Sequence, residues 1–338
     1  MSPTAAGETS VTDWDGCSVR VAEVADRLAE QRRPADGSPP FVLSGVLNLI
    51  AHCPARDLEG MREVVERLSD HQPSRAVLVT WSEEGEGIDA AVSTSCRLAG
   101  GRASVVERVE LTLRGEARAG AASAIGPLLR SELPTVLWWP GAPDPSPDGP
   151  LARLAELCDR VVTEVDRDGD AATALRTLAA WASVDGLPVT DLAWAGITSW
   201  RRLIAQVVDE GALARLRTAS ASAVVAHPGA QPSAGALLMA GWLANLVGET
   251  LAVTLESRPG DGDELVAVEV AASHSGRTLV IERLSDRGAA AVCVTEPDGV
   301  EHRRVLPLPS PDRARLLAGE LELQRRDRAF ERALRAAA

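Results

Sequence analysis

Three groups of residues in this chain have types that could do chemistry. The first suits phosphate. Gly141 opens the loop PGAPDPSPDGP, and Arg201 on a later segment is a guanidinium of the kind that grips phosphate with two parallel hydrogen bonds. The aspartates of the same loop work against an anion there. The second group is GEGIDA from Gly85, which has the letters of a dinucleotide fingerprint (GxGxxA). Its glycines lead into AVSTSCRL, which alternates like a strand, whereas a pyrophosphate needs a helix N-terminus at that point. The segment is therefore read as a hairpin turn. The third group is nucleophilic or titratable: His52, His71, His227, His274 and His302, with Cys17, Cys53, Cys96, Cys158 and Cys293. They are scattered, and no CxxC, HExxH or GxSxG occurs among them. His227 and His274 fall at a strand end and in a turn, where an exposed imidazole is expected. The acidic runs Glu83/Glu84 and Asp261/Asp263/Glu264 lie in turn sequences and read as solvated loop tips. Enzymes bring a nucleophile, base or metal together. No catalytic residue, no metal site and no cofactor of its own are expected here.

Composition narrows the classes further. At 338 residues the chain is long enough for two cores, and its 45% hydrophobic and 25% charged content is that of a globular protein. The net charge of −13 argues against nucleic acid as a partner. Every basic side chain except histidine is arginine, and the absence of lysine removes Walker-type loops and Schiff-base chemistry. No apolar run could span a membrane, and the N-terminus has no signal-peptide pattern, so the cytoplasm is expected. Five widely spaced cysteines form neither a disulfide framework nor a zinc site and read as buried free thiols.

The elements that must position any site follow from periodicity. Residues 1–17 are polar and read as a disordered tail. A helix over Ser18–Arg32, a strand over Phe41–His52, a helix over Arg56–Asp70 and a strand over Ser74–Trp81 begin an α/β domain spanning 18–210. Strands follow after Gly85 and over Ser104–Leu113, then a helix over Ala117–Arg130. In LPTVLWWPGAPD, Thr135–Trp139 reads as a short buried strand between Pro134 and Pro140. Alternation puts Trp138 and Trp139 on opposite faces, at the sheet's ligand-meeting end. After helices and a strand to Ser183 comes DLAWAGITSWRRLIAQVVDE, read as one helix over Asp191–Glu210. Asp191 is its N-cap, and Ala193, Ile197, Trp200, Ile204 and Val207 form its core face. Trp194, Thr198 and Arg201 share an adjacent stripe, which serves either as an interface anchor or as a packing pair. Residues 211–338 read as a smaller α+β domain. It holds a strand and a helix to Val247, an antiparallel meander through Ala252–Glu256, Glu264–Ala272, Thr278–Leu284 and Ala289–Thr295, a last strand, and helices over Asp312–Leu323 and Arg325–Ala337. The fold class expected is a mixed-sheet Rossmann-like domain followed by an α+β domain. From the residues alone the chain is a non-catalytic α/β protein with tryptophan-rich surfaces.

LPTVLWWPGAPD followed by DLAWAGITSWRRLIAQ resembles the glucose-6-phosphate dehydrogenase assembly protein family, OpcA, in its actinobacterial type. The similarity runs from about Ser44 to Leu334 and includes the RVLPLP strand. It implies a protein that is not itself an enzyme. Such a protein binds the NADP-dependent glucose-6-phosphate dehydrogenase in a hetero-oligomer and promotes its active form in the oxidative pentose phosphate pathway. The family motif falls on Pro134, Trp138, Trp139, Pro140 and Gly141, and on Asp191, Leu192, Trp194, Trp200 and Arg201. Gly196 stands where the family pattern leads one to expect arginine. The competing reading is a sugar-phosphate- or nucleotide-binding module using the Gly141 loop and Arg201.

Overall fold

The computed structural model describes residues 10–31, 45–99, 102–144, 146, 149–209, 221–247, 251–260, 265–272, 276–284, 288–323 and 325–338. In chain order the elements are β1 (Ser10–Gly16), α1 (Val21–Gln31), β2 (Leu47–His52), α2 (Leu58–Leu68), β3 (Ser74–Ser82), β4 (Gly87–Ala99), β5 (Arg102–Arg114), α3 (Ala121–Ile125), β6 (Thr135–Trp139), α4 (Pro150–Ala155) and β7 (Arg160–Thr163). They continue with α5 (Ala171–Asp185), β8 (Val189–Asp191), α6 (Leu192–Gly196), α7 (Thr198–Asp209), β9 (Ala221–His227), α8 (Ala234–Val247), β10 (Leu251–Ser257), β11 (Ala267–Ala272), β12 (Arg277–Leu284), β13 (Ala289–Thr295), β14 (Glu301–Pro307), α9 (Arg313–Glu322) and α10 (Arg328–Ala337). The larger sheet has the order β1-β4-β5-β3-β2-β6-β7-β8 and the smaller one β10-β9-β11-β12-β13-β14. Both are mixed: the first as expected, the second through one parallel pair added to the expected meander.

Two units emerge from the contacts. One comprises residues 1–140, 144–162 and 313–324; the other comprises 141–143, 163–312 and 325–338. The contact break falls near residue 162, ahead of α7. The reason is visible in α7: Trp200, fully buried, lies under the Arg283 guanidinium of β12 at 5.5 Å, so this helix packs with the smaller sheet.

In the first unit, β2 is parallel to both β3 and β6, and β5 is parallel to β3. Central strands covered on both faces need apolar side chains on both, which is why LNLIA and AVLV read as continuous runs with essentially no exposure. Helix α2 presents Met61, Val65 and Leu68 to this core at helical spacing. Two buried ion pairs are built in. Arg75 and Glu107 are directly opposite on β3 and β5, with Nη2 to Oε2 at 2.7 Å. Arg160 on β7 reaches Glu320 on α9 at 2.8 Å, and its Nη1 donates to the Leu323 carbonyl.

Several expectations need correction here. Ser10–Gly16, read as part of a disordered tail, pairs antiparallel with β4; residues 1–9 lie outside the described set. The Gly85 turn does not close a hairpin between β3 and β4, because β5 lies between them; the hairpin is β4–β5. Gly85 and Gly87 do have positive φ (80° and 92°), which explains the glycines without a nucleotide. The helix over Ala117–Arg130 is broken, with only Ala121–Ile125 α-helical and 3-10 turns on either side. Gly115, Gly120, Gly126 and Pro127 account for that.

In the second unit, β9–α8–β10 is a crossover whose strands are parallel, so β10 lies at the edge of its sheet and outside the meander. The meander proper is β11-β12-β13-β14. Gly241 lets α8 and α10 touch, since a Cβ there would run into the Ala333 carbonyl. That close approach seats the second half of α10 on α8.

Candidate functional site

The two motif stretches each build a tryptophan cluster. In the first unit, Asn48 sets up β6. Its Nδ2 donates to the Arg130 carbonyl at 2.9 Å and to Thr135 Oγ1 at 3.1 Å, and its backbone N–H donates to the Pro134 carbonyl at 2.8 Å. Pro134, with no N–H of its own, is thereby pinned through its one polar group. Trp138 and Trp139 then take opposite faces of β6, as alternation demands. Trp139 joins His52 and Trp81 at the carboxyl ends of β6, β2 and β3. The His52 ring stacks on Trp139 at 4.3 Å and 18°, and lies 4.3 Å from Trp81. Burial among these rings pushes the His52 imidazole down to about 4, so it is neutral at physiological pH. His52 Nδ1 and Trp81 Nε1 are buried without a hydrogen-bond partner. Trp138 lies on the other face, fully buried, with the Arg313 guanidinium 4.6 Å over its ring and its own Nε1 unpartnered. Pro140 ends the strand, buried.

In the second unit, Gly141 has φ 119°, a conformation that a side chain would strain, and its N–H donates to the Glu164 carbonyl at 3.0 Å. Asp191 is fully buried at the N-cap of α6. Its carboxylate accepts from Ala193 N (2.8 Å), Thr163 Oγ1 (2.6 Å) and Val165 N (3.0 Å). Burial pushes this carboxyl above the usual range, while the three donors pull it back. Leu192 and Trp194 are buried beside it. Trp194 Nε1 donates to Asp327 Oδ2 at 2.8 Å, and Asp327 Oδ1 in turn caps α10 through Ala329 N and Phe330 N. Phe330 tilts against the indole at 5.7 Å. Arg201 covers the indole, its Cζ 3.5 Å from the ring centroid, while Nη2 donates to Thr198 Oγ1 at 2.8 Å. The stripe Trp194, Thr198, Arg201 is therefore brought together as its spacing predicted. The helix it stands on is two helices, α6 and α7, meeting at Ile197. Gly196 ends α6, and a Cβ there would meet nothing within 4 Å.

Burial changes the reading of these residues. Trp138, Trp194 and Trp200 are at most 1% exposed and Trp139 is 7% exposed, so the expected tryptophan-rich surface is tryptophan-rich core. The motif indoles are buried within the chain itself. His227 is likewise buried, at 4%, contrary to the exposed ring expected of it; His274 and the 261–264 turn lie outside the described residues. Among the described cysteines, Cys17 is exposed, Cys53 is buried and Cys158 and Cys293 are partly buried, all as free thiols. Burial pushes the Cys53 thiol up to about 12. No group of three or more potential metal ligands occurs among the described residues, and none of their helices is long and apolar enough to cross a membrane. Asp327 and His52 were not legible as site residues. Both meet tryptophans distant in sequence, and no local spacing announces that.

Comparison with known proteins identifies the architecture. Residues 65–180 match the glucose-6-phosphate dehydrogenase subunit N-terminal domain, and residues 187–334 match the C-terminal domain of the same subunit. The chain belongs to the OpcA family. An OxPP cycle protein OpcA of Nostoc punctiforme is 30% identical over 212 residues, 60% of this chain and 44% of that protein, so the chain spans less than half the length of this relative. Among solved structures, the oxidoreductase yvaA of Bacillus subtilis gives a TM-score of 0.44 at 10% identity, covering 86% of this chain and 94% of that one. Scyllo-inositol dehydrogenase of Lactobacillus casei gives 0.37 at 10% identity, covering 86% and 95%. Neither is near enough to speak for chemistry.

Proposed function

We propose that this OpcA-family chain is a non-catalytic cytoplasmic subunit that binds NADP-dependent glucose-6-phosphate dehydrogenase and stabilises its active oligomer. The reading makes it an allosteric activator in the oxidative pentose phosphate pathway, with no cofactor of its own. The observation that carries this reading is the match of both domains of a dehydrogenase subunit, in order, along most of the chain. A binding protein of this kind shifts an oligomerisation equilibrium only by the difference in its affinity for the two forms. The motif tryptophans serve that role indirectly, by holding the surface they underlie in one shape. The competing phosphate-site reading gains nothing from the geometry. The Gly141 N–H is already bonded, and the Arg201 guanidinium lies over the Trp194 ring with Nη2 bonded to Thr198. Co-elution of the purified chain with its cognate dehydrogenase on size exclusion tests the reading. A joint peak of higher mass is expected; two peaks that never merge, at any mixing ratio, would refute it.

A further inference from the structure

Strand β14 is the outer strand of the smaller sheet, and it is exposed along nearly all of its length. Edge strands are normally blunted by proline, bulges, shortness or charged side chains. This one runs seven residues with no proline before Pro307, its charges are of both signs, Val305 within it is 61% exposed, and Val300 just before it is 48% exposed. Its inner side is accounted for. Glu296 N donates to the Val300 carbonyl and Leu308 N to the Gly288 carbonyl, so the even-numbered residues of β14 bond to β13. By the alternation of an antiparallel ladder, the N–H and C=O groups of Glu301, Arg303 and Val305 point to the open edge.

The order of charges on that edge is complementary to itself. Placed antiparallel to a second β14 about a two-fold axis at His302, Glu301 of each copy stands opposite Arg303 of the other. Arg303 already contacts Glu301 of its own strand at 3.0 Å, so the four side chains form a square of alternating sign. His302 faces its own copy. The neighbouring register, with the axis at Arg303, would oppose two arginines and is disfavoured. An isologous contact of this kind closes on itself and stops at two copies. The chain carries a net charge of −13, whereas β14 itself holds two arginines against one glutamate and does not add to that excess.

We infer that β14 pairs antiparallel with β14 of a second copy of this chain, joining the two smaller sheets into one continuous sheet with Glu301–Arg303 contacts in duplicate. The inference needs no dehydrogenase, so its fate is separate from that of the function proposed above.

The test is sedimentation equilibrium of the full chain at micromolar concentration and above. The wild type is expected at twice its 35.6 kDa mass. R303E sets like charges opposite one another twice, and so does E301R. Each alone is expected to weaken the dimer roughly tenfold or more, with unchanged circular dichroism. An equimolar mixture of the two variants restores opposite signs at both contacts and is expected to recover the dimer, a result that misfolding of either variant could not give. A wild type that stays monomeric throughout overturns the inference. So does a dimer indifferent to both reversals, which would use another surface. A monomer whose R303E variant loses dehydrogenase binding also overturns it, and gives the edge to the dehydrogenase.

Discussion

Trp138 and Trp194 are both closed off from water, yet they are held in different ways. Around Trp194 the indole and its carboxylate partner are both used: the indole N–H goes to Asp327, Asp327 caps α10, and Arg201 stacks on the ring. Around Trp138 and Trp139 the polar atoms are left over, with Trp138 Nε1, Trp81 Nε1 and His52 Nδ1 all buried and unpartnered. The cluster at Trp138 and Trp139 is thus an apolar plug at the carboxyl ends of β2, β3 and β6, where volume matters. The cluster at Trp194 is a hydrogen-bonded clasp joining α6, α7 and α10, where donor and acceptor identity matter.

Removing volume from the plug should have the largest effect. Trp138→Ala leaves a cavity under β6 and should cost about 3–5 kcal/mol in denaturant-unfolding free energy. Asp327→Ala comes next, since it removes the cap of α10 (about 1 kcal/mol). It also strands the buried Trp194 N–H, for about 1–3 kcal/mol more; Asp327→Asn should recover part of this. The contrast sharpens with phenylalanine at each tryptophan. Trp194→Phe loses a hydrogen bond as well as volume, whereas Trp138→Phe discards a donor that had no partner. The former should be the more destabilising by about 1–2 kcal/mol, and equal losses would erase the distinction between plug and clasp. Arg201→Lys should cost about 1 kcal/mol or less, because an ammonium keeps the charge but not the planar stack.

The His52 effect is negligible at neutral pH and appears only on acidification. Its pKa in the folded protein is lowered to about 4 from the ordinary 6.5. Between those values the unfolded chain binds a proton that the folded one does not, so stability rises with pH across this window and is lost as pH falls through it. Wild-type stability measured from pH 7 to pH 4 should therefore fall more steeply than that of His52→Phe. Parallel curves would show that His52 is not buried as a neutral ring.

Much of this was legible in advance, for physical reasons. Strands covered on both faces leave continuous apolar runs, so β2, β3 and β6 are readable; alternation separates Trp138 from Trp139; spacing of four and three puts Trp194, Thr198 and Arg201 on one stripe. What was missed depends on distance in sequence. Pairing order is not encoded in a strand's own composition, so neither the insertion of β5 between β3 and β4 nor the parallel β9–β10 pair could be read. An aromatic beside an arginine looks the same whether it faces a partner or its own chain, and only Asp327 and Phe330, arriving from the last helix, turned Trp194 inward. Ile197 looked like a core position of one continuous helix, and the break there is a matter of backbone geometry that Gly196 only hinted at.

Stabilisation of a dehydrogenase oligomer can be read from the dehydrogenase's specific activity across a dilution series, with and without this protein. Activity is expected to fall on dilution, saturating protein to restore it, and the gain to vanish at high enzyme concentration where the oligomer is already full. A gain of the same factor at every concentration, or none at all, would contradict it.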